Sequence, residues 1–231
     1  MCIRDRSGDA RDGAPVRIAV PVLRRIANFD DLDPLAGETD VDVTLVEAGD
    51  VIPADADLIL LPGSKSTISD LTFLRDQGWD IDIAAHLRRG GMVMGLCGGY
   101  QMLGTKLDDP DGVEGPAGDT LGLGHLRVET VLAGDKRLTQ VTAHANAFDV
   151  PVRGYEIHMG RTGGPDCDRP FLTLDGRPEG AVSADGAVIG TYLHGIFADD
   201  GFRRAFLDSL AARRGREGAF GEAVSYTHLR A

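Results

Sequence analysis

Cysteine is scarce in this chain. Cys2, Cys97 and Cys167 are the only thiols in 231 residues, and no two have Cys-x-x-Cys spacing. That excludes both a disulfide framework and a zinc ribbon, and it fits a reducing, cytoplasmic setting. Positive charge is also short, with 24 Lys and Arg against 36 Asp and Glu and a formal net charge of −12. Nucleic acid and anionic membranes both need a basic surface, so neither is expected as a partner. No apolar run approaches the roughly 18 residues of a membrane span. No histidine pair or Cys/His cluster has metal-ligand spacing, so no metal is expected. Gly63-Ser64-Lys65-Ser66-Thr67 lacks the upstream glycine and the Gly-Lys step of a Walker phosphate loop, so no ATP site is expected in this chain.

What is present suits one α/β core, since 42% of the residues are hydrophobic. Residues 1–15 are charged, aperiodic and without the apolar core of a signal peptide. They are expected to be a leader outside the domain, and 216–231 a tail, leaving a domain over 16–215. Within it, strands are expected at Arg17–Val22, Val41–Val46, Leu58–Leu61 and Met92–Leu96. A polar turn at Asn28–Asp31 opens a short helix. Thr67 and Asp70 form a capping-box pattern for a helix through Leu74, and a second helix covers Ile81–Arg89, stopped by Gly90-Gly91. The alternation argues for an open, mostly parallel sheet flanked by helices. Beyond it, 108–124 reads as loop. Leu126–Leu132, Arg137–Ala145 and Arg153–Met159 read as strands of an additional antiparallel region, and 161–169 as a polar loop. Ala187–His194 reads as one strand ending in histidine, and Asp200–Arg214 as a closing amphipathic helix.

The chemistry centres on Met92-Val93-Met94-Gly95-Leu96-Cys97-Gly98-Gly99-Tyr100-Gln101. An apolar strand ends at a thiol and glycines surround it, which is the pattern of a nucleophile elbow. The competing reading is a small buried cysteine. Acyl transfer needs a base, and His194, at a strand end before Gly195, is the best placed of six histidines; His158 is second, and His228 lies in the tail. Backbone N–H groups of Gly98 and Gly63 are the candidate oxyanion donors, each worth about 3–4 kcal/mol to a transition state. Ligands of such sheets bind beyond the carboxyl ends of strands, where Gly63 and Cys97 both fall.

Gly95-Leu96-Cys97-Gly98-Gly99-Tyr100-Gln101 resembles the nucleophile motif of class I (triad-type) glutamine amidotransferases. Leu61–Thr67, Gly154-Tyr155-Glu156-Ile157-His158-Met159-Gly160-Arg161-Thr162 and Gly190–Phe197 narrow the resemblance to the glutaminase domains of cobyric acid synthases, over roughly residues 16–215. The resemblance implies a flavodoxin-like sheet. It also implies that Cys97 forms a glutamyl thioester from glutamine, that His194 acts as base and acid, and that Gly63 and Gly98 make the oxyanion hole. Gln101 is implied to help hold the substrate. Ammonia then serves a synthetase domain, absent from this chain, in which ATP and Mg²⁺ activate carboxylates of adenosylcobyrinic acid a,c-diamide.

One departure concerns the histidine. Class I enzymes usually carry a glutamate two residues after it, and this chain has Ile196 there. The resemblance therefore implies a Cys97–His194 dyad, with Tyr155, Glu156 and His158 as candidate orienting or channel residues. Alternatives are the glutaminase of a cobyrinic acid diamide synthase or of a peptidoglycan-amidating complex, a non-catalytic domain of the same fold, and a cysteine peptidase.

Overall fold

The computed structural model describes residues 16–134, 137–213 and 215. The expected leader, Cys2, the tail and His228 lie outside the described residues. In chain order the first half contains β1 (Val16–Pro21), β2 (Ile26–Ala27), α1 (Asp33–Gly37), β3 (Val41–Val46), β4 (Leu58–Leu61) and β5 (Gly63–Ser64). It continues with α2 (Thr67–Asp76), α3 (Trp79–Arg88), β6 (Met92–Leu96) and α4 (Gly98–Leu103). The second half contains β7 (Lys106–Asp109), β8 (Gly118–Leu121), β9 (Glu129–Val131), β10 (Arg137–Ala145), β11 (Val150–His158), β12 (Arg161–Gly163) and β13 (Leu172–Leu174). β14 (Arg177–Glu179), β15 (Ala181–Val182), β16 (Val188–Thr191), β17 (Leu193–His194) and α5 (Asp200–Arg213) complete it.

The main sheet has the order β15-β16-β6-β4-β1-β3, parallel except for β15. Numbered along the chain, its parallel strands run 2-1-3-4-5, the flavodoxin-like order. A sheet covered on both faces demands continuous apolar strands, which is what Leu58-Ile59-Leu60-Leu61 supplies. Its side chains alternate between two cores. Leu58 and Leu60 join Ile18, Met94, Phe197, Phe202 and Phe206 on one face. Ile59 and Leu61 join Leu71, Leu74, Trp79, Val93 and Tyr100 on the other. Among the described residues no helix is long and apolar enough to cross a membrane.

Several local expectations give way to tertiary contacts. α2 starts at Thr67, yet Ser66 at its N-cap makes no side-chain capping bond, so the Thr67–Asp70 capping box does not form. Asp70 is buried and its carboxylate accepts the Ser64 hydroxyl at 2.6 Å and the Arg25 N–H at 3.2 Å instead. The α2 entrance is satisfied from afar, with the Ile68 N–H donating to Glu114 at 2.9 Å. The helix also runs past Leu74 to Asp76.

The polar stretches 108–124 and 161–169 are not plain loops. They hold the end of β7, all of β8 and all of β12, which with β9 form a four-stranded sheet in the order β12-β9-β7-β8. The expected Leu126–Leu132 strand is only Glu129–Val131, although Leu126, Val128, Thr130 and Leu132 are all buried on one side of it. The expected Ala187–His194 strand is two strands: β16 closes the parallel sheet, and β17 leaves it to pair antiparallel with β11 in a five-stranded sheet, β14-β13-β10-β11-β17.

α4 packs against β4 with no room to spare. A Cβ on Gly99 would press into the Leu61 carbonyl, and the ring of Tyr100 lies against Gly190. Over-packing of this kind costs about 1–3 kcal/mol. Gly99→Ala is therefore expected to lower stability to urea by about 2 kcal/mol, a shift read from the denaturation midpoint.

Candidate active site

Cys97 stands between β6 and α4 with φ 50° and ψ −107°, a backbone conformation that L side chains rarely adopt. Holding it costs about 1–3 kcal/mol, supplied by the surrounding packing. The Cys97 N–H donates to the Thr191 carbonyl at 2.8 Å, tying the turn to β16. A Cβ on Gly95 would come within 2.6 Å of the Gly99 backbone, and one on Gly98 within 2.9 Å of the Ser64 nitrogen. Only glycines let the turn close this tightly. The result is the expected strand-to-helix elbow, and the half-buried thiol donates to the Ile157 carbonyl at 3.4 Å.

His194 is brought to the same place by β17. It is 1% exposed, and its Nδ1 meets the Asp31 carboxylate at 2.6 Å. The other Asp31 oxygen accepts the Gly195 N–H at 2.7 Å. A carboxylate on Nδ1 fixes the proton there and leaves Nε2 to act toward the sulfur. Nε2 is buried and without a hydrogen-bond partner among the described residues. Burial by itself would lower the imidazole pKa; the Asp31 hydrogen bond and the neighbouring Cys97 outweigh it and raise the value to about 9. Cys97 is itself one of the causes of that rise, so thiol and imidazole act on one another in this site.

Asp31 corrects the expectation of a Cys–His dyad. The position expected to carry an acid, Ile196, is fully buried in the apolar core. The carboxylate comes instead from 163 residues upstream, in a short 3₁₀ turn (Phe29–Leu32) entered through Asn28 at φ 53°. The sequence showed a polar turn with adjacent acids Asp30 and Asp31. Nothing in it said that one of them is 4% exposed and faces a histidine.

The other expected site residues are placed as follows. Gly63 lies against His194, since a Cβ there would come 3.2 Å from His194 Cε1. Its loop packs on Gly98, as the Ser64 contact shows. Gly63 also pairs with Ala27 in the β2–β5 ladder. Gln101 is buried, its amide donating to the Met159 carbonyl at 2.9 Å and the Tyr192 hydroxyl at 3.2 Å, while its oxygen accepts Thr67 at 3.1 Å. Tyr155 pairs with His194 across β11 and β17 and stacks on its ring, with centroids 5.4 Å apart. Glu156 does not reach His194; it forms an ion pair with Arg177. His158 ends β11 opposite Arg137, and its side chain lies outside the described residues. Of the remaining histidines, His86 is bonded to the Met92 carbonyl and His144 to Asp149.

A strand-end thiol facing a carboxylate-held histidine, at the C-terminal edge of a 2-1-3-4-5 sheet, is a hydrolase or acyl-transfer site in form. Residues 17–202 match the model of the CobB/CobQ-like glutamine amidotransferase domain. The chain belongs to that family. Among its relatives, a cobyric acid synthase from Ruegeria sp. (strain TM1040) is 62% identical over 198 residues, 86% of this chain and 41% of the relative. A cobyric acid synthase from Bradyrhizobium diazoefficiens is 59% identical over 209 residues, 90% of this chain and 43% of the relative. The chain thus spans about two fifths of the length of these relatives. The PurLQS structure from Thermotoga maritima shares the fold, with a TM-score of 0.63 at 19% identity over 86% of this chain and 98% of that one. A glutamine amidotransferase from Thermotoga maritima superposes with a TM-score of 0.55 at 13% identity, over 87% and 84% of the two chains.

The raised His194 pKa has a stability consequence with a definite sign. The share of the rise due to Asp31 stabilises the folded domain: it is complete below pH 6.5 and is lost as pH rises through about 9. A proton passed to the ring from Cys97 leaves the number of bound protons unchanged, so the Cys97 share adds nothing to stability. Asp31→Ala is expected to flatten this fall, measured as urea stability at pH 6 and pH 9.5.

Proposed function

We propose that this domain is the glutaminase part of a cobyric acid synthase. The observation that carries the reading is Cys97 on a strained elbow beside a His194 held by Asp31. The family and the relatives support it. The Cys97 sulfur attacks the side-chain amide carbon of glutamine, and His194 takes the thiol proton. The carbonyl oxygen becomes an oxyanion facing the Gly98 N–H, with Gly63, shared with the β2 ladder, as second donor. His194 then delivers its proton to the departing nitrogen, releasing ammonia and leaving a glutamyl thioester. Water, deprotonated by His194, attacks the thioester carbon and frees glutamate and Cys97. Tyr155 keeps the imidazole ring in plane from one side. Gln101, fully engaged inside the protein, acts by fixing the Met159 turn that borders the glutamine pocket.

The ammonia serves a synthetase part outside this chain. There ATP and Mg²⁺ activate carboxylates of adenosylcobyrinic acid a,c-diamide for amidation, in the cytoplasm. This chain needs no cofactor of its own for the glutaminase step, which runs on thiol, imidazole and water.

Mass spectrometry after treatment with a chloroketone analogue of glutamine tests the reading. A single adduct on Cys97, absent from Cys167 and Cys2 and suppressed by excess glutamine, is expected. His194→Ala is expected to slow the labelling by about 100-fold, the lower end for loss of a general base. Labelling indifferent to glutamine, or spread over the thiols, would defeat the proposal.

A further inference from the structure

The chain reaches His194 through a break. β16 ends at Thr191 in the parallel sheet, β17 begins at Leu193 in the antiparallel one, and Tyr192 belongs to neither. Where a strand changes sheets, its ladder no longer supplies partners for every buried N–H, and those groups need acceptors from elsewhere. Glu179, the last residue of β14 and buried, supplies them. One carboxylate oxygen accepts the Tyr192 N–H at 2.7 Å and the other accepts the Thr191 hydroxyl at 2.7 Å. The Thr191 oxygen in turn accepts the Leu193 N–H at 3.1 Å.

The carboxylate is itself held in place. Gly180 follows at φ 71°, with a Cβ position occupied by the Gly190 carbonyl and Phe171, so the turn bearing Glu179 is seated on β16. From the other side of the break, the Tyr192 hydroxyl receives Gln101 from α4, the helix that starts directly after the nucleophile. A single buried side chain therefore anchors the segment that carries the base and, through Tyr192, touches the helix that follows the thiol.

We infer that Glu179 is a positioning residue for proton transfer between Cys97 and His194, setting where the imidazole stands by clamping the Thr191–Tyr192 break. The inference rests on the glutaminase reading above. Burial raises the Glu179 pKa to about 7, against the hydrogen bonds from Thr191 and Tyr192 that lower it. Of the charged neighbours, Glu156 adds to the rise and Arg177 opposes it; Tyr100 and Cys167 also face the carboxylate. An ionisable group kept at such a depth makes two bonds to one strand break that a smaller apolar residue could not make.

Two variants of nearly unchanged volume test it in the full chain. Glu179→Gln keeps an acceptor for Tyr192 but turns an N–H on the Thr191 hydroxyl. Thr191→Val removes the hydroxyl that joins Glu179 to Leu193. The readouts are thermal unfolding and the rate of Cys97 labelling by the glutamine chloroketone from pH 5.5 to 9, taken well below the unfolding temperature. Both variants are expected to label at least tenfold more slowly than the parent, with a displaced pH profile. Half-protection by glutamine is expected at an unchanged concentration. A folded variant with the parental rate and pH profile overturns the inference, as does failure of both variants to fold, which makes Glu179 a purely structural clamp. A parent chain that shows no glutamine-protected labelling instead overturns the glutaminase reading, and this inference with it.

Discussion

The Asp31 carboxylate grips two consecutive residues at once, the His194 ring at 2.6 Å and the Gly195 backbone at 2.7 Å. Asp31 and His194 are both buried, so the pair works in a medium where an ion pair is strong and an unpaired charge is expensive. The pairing fixes which imidazole nitrogen carries the proton and, with Cys97 beside it, raises the pKa of the ring to about 9. It also joins the two ends of the domain, since the first connection of the parallel sheet must fold back over the last strand before the site exists. An acid two positions after the histidine would do the same work locally; here that position is committed to the core as Ile196.

The site lies where two sheets meet, and each brings one half of the chemistry. The parallel sheet ends in the Cys97 elbow, whose strain is carried by close glycine packing against the Ser64 loop and β4. The antiparallel sheet brings Tyr155 and His194 side by side and places the Ile157 carbonyl on the thiol. Buried polar groups stitch the seam: Gln101 spans α4, the Met159 turn and Tyr192, and Asp70 holds the Ser64 loop. Networks of this kind are costly when half-satisfied and specifying when complete, which accounts for so many polar side chains being buried so near one thiol.

The positions of Cys97 and His194 at strand ends were legible because their signals are local. Three glycines around one cysteine at the end of an apolar run describe an elbow by themselves, and a histidine closing an apolar strand stands out from His86 or His144. The core of the parallel sheet was legible for the same reason, as in Leu58–Leu61, where every residue is apolar because both faces are covered. Asp31 was not, because two adjacent acids in a polar turn look the same whether one is buried or both are solvated. Glu179 and Asp70 were hidden likewise; Asp70 even offered a local capping role that the Ser64 hydroxyl and the Arg25 N–H displaced. The two edge strands of the four-stranded sheet, β8 and β12, escaped because half-exposed strands of three or four residues carry no periodicity to read.

By itself the sequence determined the parallel α/β framework, the turn that presents Cys97 and the strand that ends in His194, since periodicity, glycine spacing and apolar runs act over a few residues. Only the tertiary structure decided which carboxylate serves the histidine, where the strand before it changes sheets, and how Gln101 spends its hydrogen bonds. These are pairings between residues far apart in the chain, governed by burial and by the need of every buried polar group for a partner. That need has no address in the sequence until the fold brings the partners within reach.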